Sequence, residues 1–186
     1  MGTADEHEGR LKVVEATATD IPSMREFILE AWKEAGPSAW GWTGATEASI
    51  QELASVDYLR RLVSSPKVKM LLARDGGQVV GFAANRRLDE ITVELAGIIV
   101  SERFTGLGIG TALLKASLDA ASAGGFEEMT VKTETFNERA IGFYVANGFK
   151  RIGVSSEELE GKRVDLAVLR RRVTDQGTGR DRLDVG

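Results

Sequence analysis

The stretch Val100-Ser-Glu-Arg-Phe-Thr105-Gly-Leu-Gly108-Ile-Gly110-Thr-Ala-Leu-Leu114 runs from an apolar strand through a glycine-rich turn into a helix. Gly106, Gly108 and Gly110 stand at alternate positions and remove side chains where a backbone must approach something closely. The turn leads into the first turn of a helix, whose unpaired N–H groups make an anion site. Strand, glycine turn and helix N-terminus together read as a phosphate cradle. A dinucleotide fingerprint would need a third glycine where Thr111 stands, and a P-loop would need a Gly-Lys-Ser/Thr triplet that does not occur.

The remaining option is the pyrophosphate of coenzyme A. The turn Thr105-Gly-Leu-Gly108-Ile-Gly110 resembles the Q/R-x-x-G-x-G/A signature of the GNAT superfamily of N-acetyltransferases, with Thr105 in place of the Gln/Arg. About thirty residues on, Asn137-Glu-Arg-Ala140-Ile-Gly-Phe-Tyr144-Val-Ala-Asn-Gly148-Phe149 resembles the family's N-x-x-A-x-x-x-Y-x-x-x-G-F stretch at every fixed position. The resemblance implies an α/β GNAT fold: a mixed central sheet of about seven strands, two of them parallel and splayed, with about four helices. It also implies acetyl-CoA as cosubstrate and a primary amine as acceptor, with dimers frequent in the family.

Composition agrees with one soluble domain. The chain has 186 residues, 42% apolar and 28% charged, enough for a sizeable core. A net charge of −4 argues against a nucleic-acid surface, and the Arg170-Arg171-Arg172 run reads as a solvated strand end. The absence of cysteine excludes disulfides, thiolate metal sites and a cysteine acyl-enzyme. No metal site is expected, and His7, the single histidine, reads as inert. With no signal peptide or apolar span in view, the expected location is cytoplasmic, with no membrane partner.

Along the chain, 1–10 reads as a flexible tail, 11–172 as the N-acetyltransferase domain and 173–186 as a second flexible tail. Leu11–Ala16 reads as a strand, then Asp20 caps a helix with Pro22 in its first turn, running to Gly36-Pro37. A second helix starts at Thr46 and carries Ile50, Leu53, Tyr58, Leu59 and Leu62. Asp75-Gly76-Gly77 signals a hairpin between 67–74 and 78–86. A strand over 91–100, a helix over 108–123, a strand over 129–133, a helix over 137–146 and paired strands at 149–154 and 163–171 complete the order. The resemblance makes 91–100 and 129–133 the splayed pair that admits the acyl-CoA.

Acetyl transfer needs a neutral amine, an oxyanion partner and a proton for the leaving thiolate. Neutralising a lysine-type amine at about pH 7.4 costs about 4 kcal/mol, and an α-amine less than about 1 kcal/mol. Glu94, in an apolar strand, is the candidate base; its register resembles the family's strand glutamate, and a structural carboxylate is the alternative. Tyr144 is the candidate acid, which the resemblance sets beside the CoA sulfur; a core aromatic is the alternative. Thr105, Gly106, Leu107, Gly108, Ile109, Gly110 and Thr111 form the expected phosphate cradle. Ile98, Ile99 and Val100 would offer backbone groups to the acyl carbonyl and pantetheine. Asn137 and Ala140 open the second motif, Asn137 as a helix cap or pantetheine partner.

The acceptor pocket is read from Trp40 and Trp42, around Gly41, with Glu30, Tyr58 and Arg86 as further candidates. A small amine or amino-acid-like acceptor is expected, used by direct attack in a ternary complex, with a protein N-terminus or lysine as the alternative. Two rivals remain: an acyl-CoA-binding sensor without chemistry, and a Rossmann-type nucleotide domain in which Glu134 would meet a ribose.

Overall fold

The computed structural model describes residues 11–35, 46–159 and 161–174. His7, Trp40, Trp42, the first tail and nearly all of the second lie outside them. Twelve principal elements follow the order β1 (Leu11–Glu15), α1 (Ile21–Ala35), α2 (Glu47–Leu53), α3 (Val56–Ser64), β2 (Val68–Asp75), β3 (Gln78–Arg87), β4 (Thr92–Val100), α4 (Ile109–Ala123), β5 (Glu128–Glu134), α5 (Glu138–Ala146), β6 (Lys150–Leu159) and β7 (Lys162–Arg172). The seven strands form one sheet in the order β1-β2-β3-β4-β5-β7-β6. Every pairing is antiparallel except β4 with β5. This is the expected mixed α/β sheet, with five helices where about four were expected.

The extra helix arises at Ala54-Ser55. Ser55 leaves the helical conformation and its hydroxyl oxygen accepts the Tyr58 N–H at 3.2 Å, so α2 stops and α3 starts afresh. The apolar spacing continues across the break, which is why one long helix was expected. The start of α1 also differs. Thr17 opens a short 3-10 turn over Ala18–Asp20, and the Asp20 carboxylate reaches back to accept the Thr17 N–H at 2.7 Å. Asp20 thus closes the turn rather than capping α1, and it pairs with Arg74 of β2 at 2.6 Å.

Helices cover both faces of the sheet. Ile21, Met24, Phe27, Ile28 and Ala31 form one stripe of α1 and bury against Ile50, Leu59, Met70, Leu72 and Ile99. On the opposite face, Ile109, Leu113, Leu114 and Leu118 of α4 pack with Leu71, Val93, Leu95, Val131 and Leu169. β2 contributes Met70 and Leu72 to the first core and Leu71 and Ala73 to the second, so it reads as a continuous apolar run. The β2–β3 hairpin turns on Gly76 and Gly77, at φ 57° and 96°, as the Asp-Gly-Gly signal requires.

The arginine run is only in part the solvated strand end that composition suggests: Arg170 and Arg172 are exposed at the end of β7 and Arg171 is not. Arg170 pairs with Glu128 at 3.2 Å. Arg171 is buried, and its Nη1 donates to the Asn147 carbonyl at 2.6 Å, neutralising the C-terminal end of α5. No helix among the described residues is long and apolar enough to cross a membrane.

Candidate active site

The site begins with a defect in the sheet. β4 and β5 pair over only four positions, from Thr92 with Glu128 to Leu95 with Val131. On its other side, β4 keeps its ladder with β3 up to Val100 with Gly81. Asn85 faces Leu95 and Ala84 faces Gly97, so Ala96 is an extra, unmatched residue. Such a bulge turns the strand locally. Beyond it, Gly97–Val100 is bonded along one edge to β3 while its other edge faces a gap, across which runs Lys132–Glu134. The β4–β5 pairing therefore ends as the expected splay requires, and Ile98, Ile99 and Val100 lie on β4 beyond that end.

The glycine turn follows β4 in the chain, after a short 3-10 turn at Glu102–Phe104. Gly106 and Gly108 have φ of 84° and 78°, and a Cβ built on either would meet nothing within 4 Å. The first hydrogen bond of the helix runs from the Ala112 N–H to the Gly108 carbonyl at 2.9 Å, so the N–H groups of Ile109, Gly110 and Thr111 precede the ladder. α2, α3 and α5 each have a side-chain cap, from Thr46, Ser55 and Asn137, and an acidic residue in the first turn. α4 has neither. An uncapped, uncharged helix start with open space above its glycines fits a diphosphate. Thr105 and Leu107 flank it without adding charge.

The second motif is brought against the first. A Cβ on Gly110 would lie 3.7 Å from the Phe143 ring, so α5 touches the start of α4. Next along α5, Tyr144 is enclosed by T-shaped contacts with Phe143 and Phe149, at centroid separations of 5.3 and 5.5 Å. Its hydroxyl has no hydrogen-bond partner among the described residues. Burial pushes the phenol up to about 12. Asn137 caps α5, its Oδ1 accepting the Ala140 N–H at 3.1 Å, which leaves its Nδ2 as a donor.

Glu94 precedes the bulge and is 5% exposed. By strand alternation it points away from the core that holds Val93 and Leu95. Its surroundings are not purely apolar: Arg86, directly opposite on β3, donates from Nε at 2.9 Å and from Nη2, both to Oε2. Among the described residues Oε1 accepts no such bond. The β3–β4 hairpin register carries this pairing, and sequence reading took the two residues separately.

The other acceptor candidates scatter. Tyr58 sits on α3, which packs on β2 and α1, with the Arg61 guanidinium 5.7 Å from its ring centre. Glu30, on α1, lies 3.8 Å from Arg103. Glu134 is buried at the end of β5, in a strand paired antiparallel to β7. That mixed pairing is not the parallel, doubly wound sheet the Rossmann alternative needs.

A splayed parallel pair with a glycine-rich helix start and a tyrosine beside it defines the class of acyl-CoA-dependent transferases. The Acetyltransferase (GNAT) family model matches residues 22–149, and the chain belongs to that family. It is an N-acetyltransferase of the GNAT type. Over 114 residues it is 33% identical to the N-alpha-acetyltransferase RimI of Mycobacterium tuberculosis, covering 60% of this chain and 70% of that protein. The fold is similar to the PaiA N-acetyltransferase of Thermoplasma acidophilum in complex with coenzyme A, with TM-score 0.67, 19% identity and coverage of 87% and 98%. It is also similar to the ribosomal-protein-S18-alanine N-acetyltransferase of Escherichia coli, with TM-score 0.64, 15% identity and coverage of 92% and 99%.

Proposed function

We propose that this protein transfers the acetyl group of acetyl-CoA to a primary amine by direct attack in a ternary complex. The observation that carries the reading is the end of β4–β5 pairing at Leu95, followed along the chain by the glycine turn and the uncapped start of α4. The pyrophosphate lies on the N–H groups from Gly106 to Thr111, and the pantetheine runs along Ile98–Val100. Acetyl-CoA supplies the activated acyl group and a thiolate leaving group. Tyr144, protonated at all ordinary pH values, gives its proton to that thiolate. Glu94 takes the amine proton through its free Oε1, directly or across a water, while Arg86 fixes the carboxylate. Asn137 Nδ2 holds the pantetheine arm.

The acceptor is a small amine or amino-acid-like molecule, with Arg86, Glu30, Tyr58, Trp40 and Trp42 as candidate contacts. An α-amine is the easier nucleophile, since about 1 kcal/mol or less makes it neutral. The likeness to RimI, an N-alpha-acetyltransferase, favours a second reading in which the α-amine is the N-terminus of a polypeptide.

The test is free-thiol release from acetyl-CoA across amino acids, polyamines, aminoglycosides and peptides with free or blocked N-termini. With no cysteine in the chain, a thiol reagent reports liberated CoA alone. Release with one class names the acceptor. Binding of acetyl-CoA with silence across the whole panel would favour the sensor reading.

A further inference from the structure

From Val100 to Leu114 only Glu102 and Arg103 are charged, so Arg103 is the cation of the sequence nearest the glycine turn. It is already engaged. Arg103 Nη2 lies 2.6 Å from Glu34 Oε1 and 3.8 Å from Glu30 Oε2, both on α1. The second oxygen of Glu34 accepts the Ser101 hydroxyl at 3.1 Å. One carboxylate therefore grips both ends of Ser101–Arg103, the tripeptide that joins β4 to the cradle. Ser101 is buried and its N–H is bonded to the Val80 carbonyl at 3.0 Å, while Phe104 and Thr105 bond back to Ser101 and Glu102. The Glu34 side chain is 23% exposed and that of Arg103 61%, so the pair stays open to solvent screening and acts through its geometry rather than through a large net energy.

Resting on the acetyl-CoA reading above, we propose that Glu34 is a positioning residue for the cofactor. By clamping Ser101 and Arg103 to α1, it fixes the direction in which the chain enters the glycine turn and hence where the N–H groups point. A second consequence is that Arg103, shared between two glutamates, is withheld from the phosphates. The diphosphate is then gripped by backbone N–H groups whose geometry matters more than local cationic charge.

The experiment is a double-mutant cycle of Glu34→Ala and Arg103→Ala, with Glu34→Gln as the shape-conserving variant. Acetyl-CoA affinity is read by calorimetry, turnover at saturation by thiol release, and folding by thermal melting. Each alanine variant is expected to weaken acetyl-CoA about three- to tenfold, with kcat changed less than about twofold. The double variant is expected to be no weaker than the poorer single one, and the charge-exchanged pair Glu34→Arg/Arg103→Glu to recover part of the affinity. Glu34→Gln should fall between wild type and Glu34→Ala.

A purely structural role would lower the melting temperature of Glu34→Ala and leave affinity at 25 °C unchanged, which overturns the proposal. Tighter binding in Glu34→Ala, accompanied by weaker binding in Arg103→Ala, would also overturn it, because Glu34 would then compete with the phosphates for Arg103. Wild-type protein that binds no acetyl-CoA in the same calorimeter would instead overturn the cofactor reading on which the proposal stands.

Discussion

The Tyr144 phenol is the most informative single group, because its ring is enclosed by Phe143 and Phe149 while its hydroxyl has no described partner. Burial pushes it up to about 12, so the neutral, proton-bearing form persists well past neutrality. Tyr144→Phe is expected to lower kcat about 100-fold or more while acetyl-CoA affinity stays within about twofold. Equal turnover in the two proteins would remove Tyr144 as the acid. The sign of the shift also fixes the pH profile. kcat/KM for an α-amine should rise as the amine loses its proton near about pH 8 and should show no Tyr144-dependent fall below about pH 10. A descending limb near neutrality that disappears in Tyr144→Phe would contradict this assignment. Tyr144 was legible in sequence because a long fixed motif surrounds it. Glu94 was legible as a carboxylate, but its partner was not. The Arg86 contact depends on a register that breaks two residues after Glu94, at Ala96, and a bulge leaves no periodic trace.

Among the elements, α4 is the one to which the proposed cofactor site is assigned, by its glycine N-cap and its first turn without an acidic residue. Gly108→Glu should weaken acetyl-CoA at least about tenfold, since it puts a side chain at φ 78° and a negative charge at the anion site. Calorimetry decides it, and unchanged affinity would remove the cradle assignment. β3 offers a contrasting glycine. A Cβ on Gly81 would lie 2.8 Å from the Ile99 carbonyl oxygen and 3.2 Å from Leu113, whereas one on Gly97 meets nothing. Gly81→Ala is expected to cost about 1–3 kcal/mol in urea unfolding and Gly97→Ala within about 0.5 kcal/mol. Most strands and the helices α4 and α5 were legible from turn signals such as Asp75-Gly76-Gly77 and Gly124-Gly125. The division of α2 from α3 was missed although Ser55 and Asp57 supply a start signal, because unbroken apolar spacing masked it. The burial of Arg171 was missed as well, since it requires β7 to lie beside β5 and under the end of α5.

At the scale of the molecule, the sheet is two ladders joined by four residue pairs between β4 and β5. A ligand in the gap bonds to edges that otherwise face each other unpaired. Amide hydrogen exchange should therefore slow on adding acetyl-CoA at Gly97–Val100 and at the cradle, with smaller changes in β1 and β2. Uniform slowing, or slowing confined to α1, would place the ligand elsewhere. At a hundredfold excess over Kd the complex should gain about 2.7 kcal/mol of stability. The seven strands and their splay followed from family-like motifs. The position of β7 between β5 and β6 did not, because a hairpin signal between the last two strands does not say which of them faces inward.

That position governs how the chain can be made. β7, which follows β6 in the chain, occupies an interior place, with β5 on one side and β6 on the other. A nascent polypeptide that has emerged only as far as β6 carries two orphaned strand margins awaiting one partner, and both are templates for mispairing with other chains. Completion of the second ladder is thus deferred until β7 clears the ribosome. A stop codon or proteolytic cut within Lys162–Arg172 would cost far more than the contacts of one strand, because both flanking strands lose their shared partner.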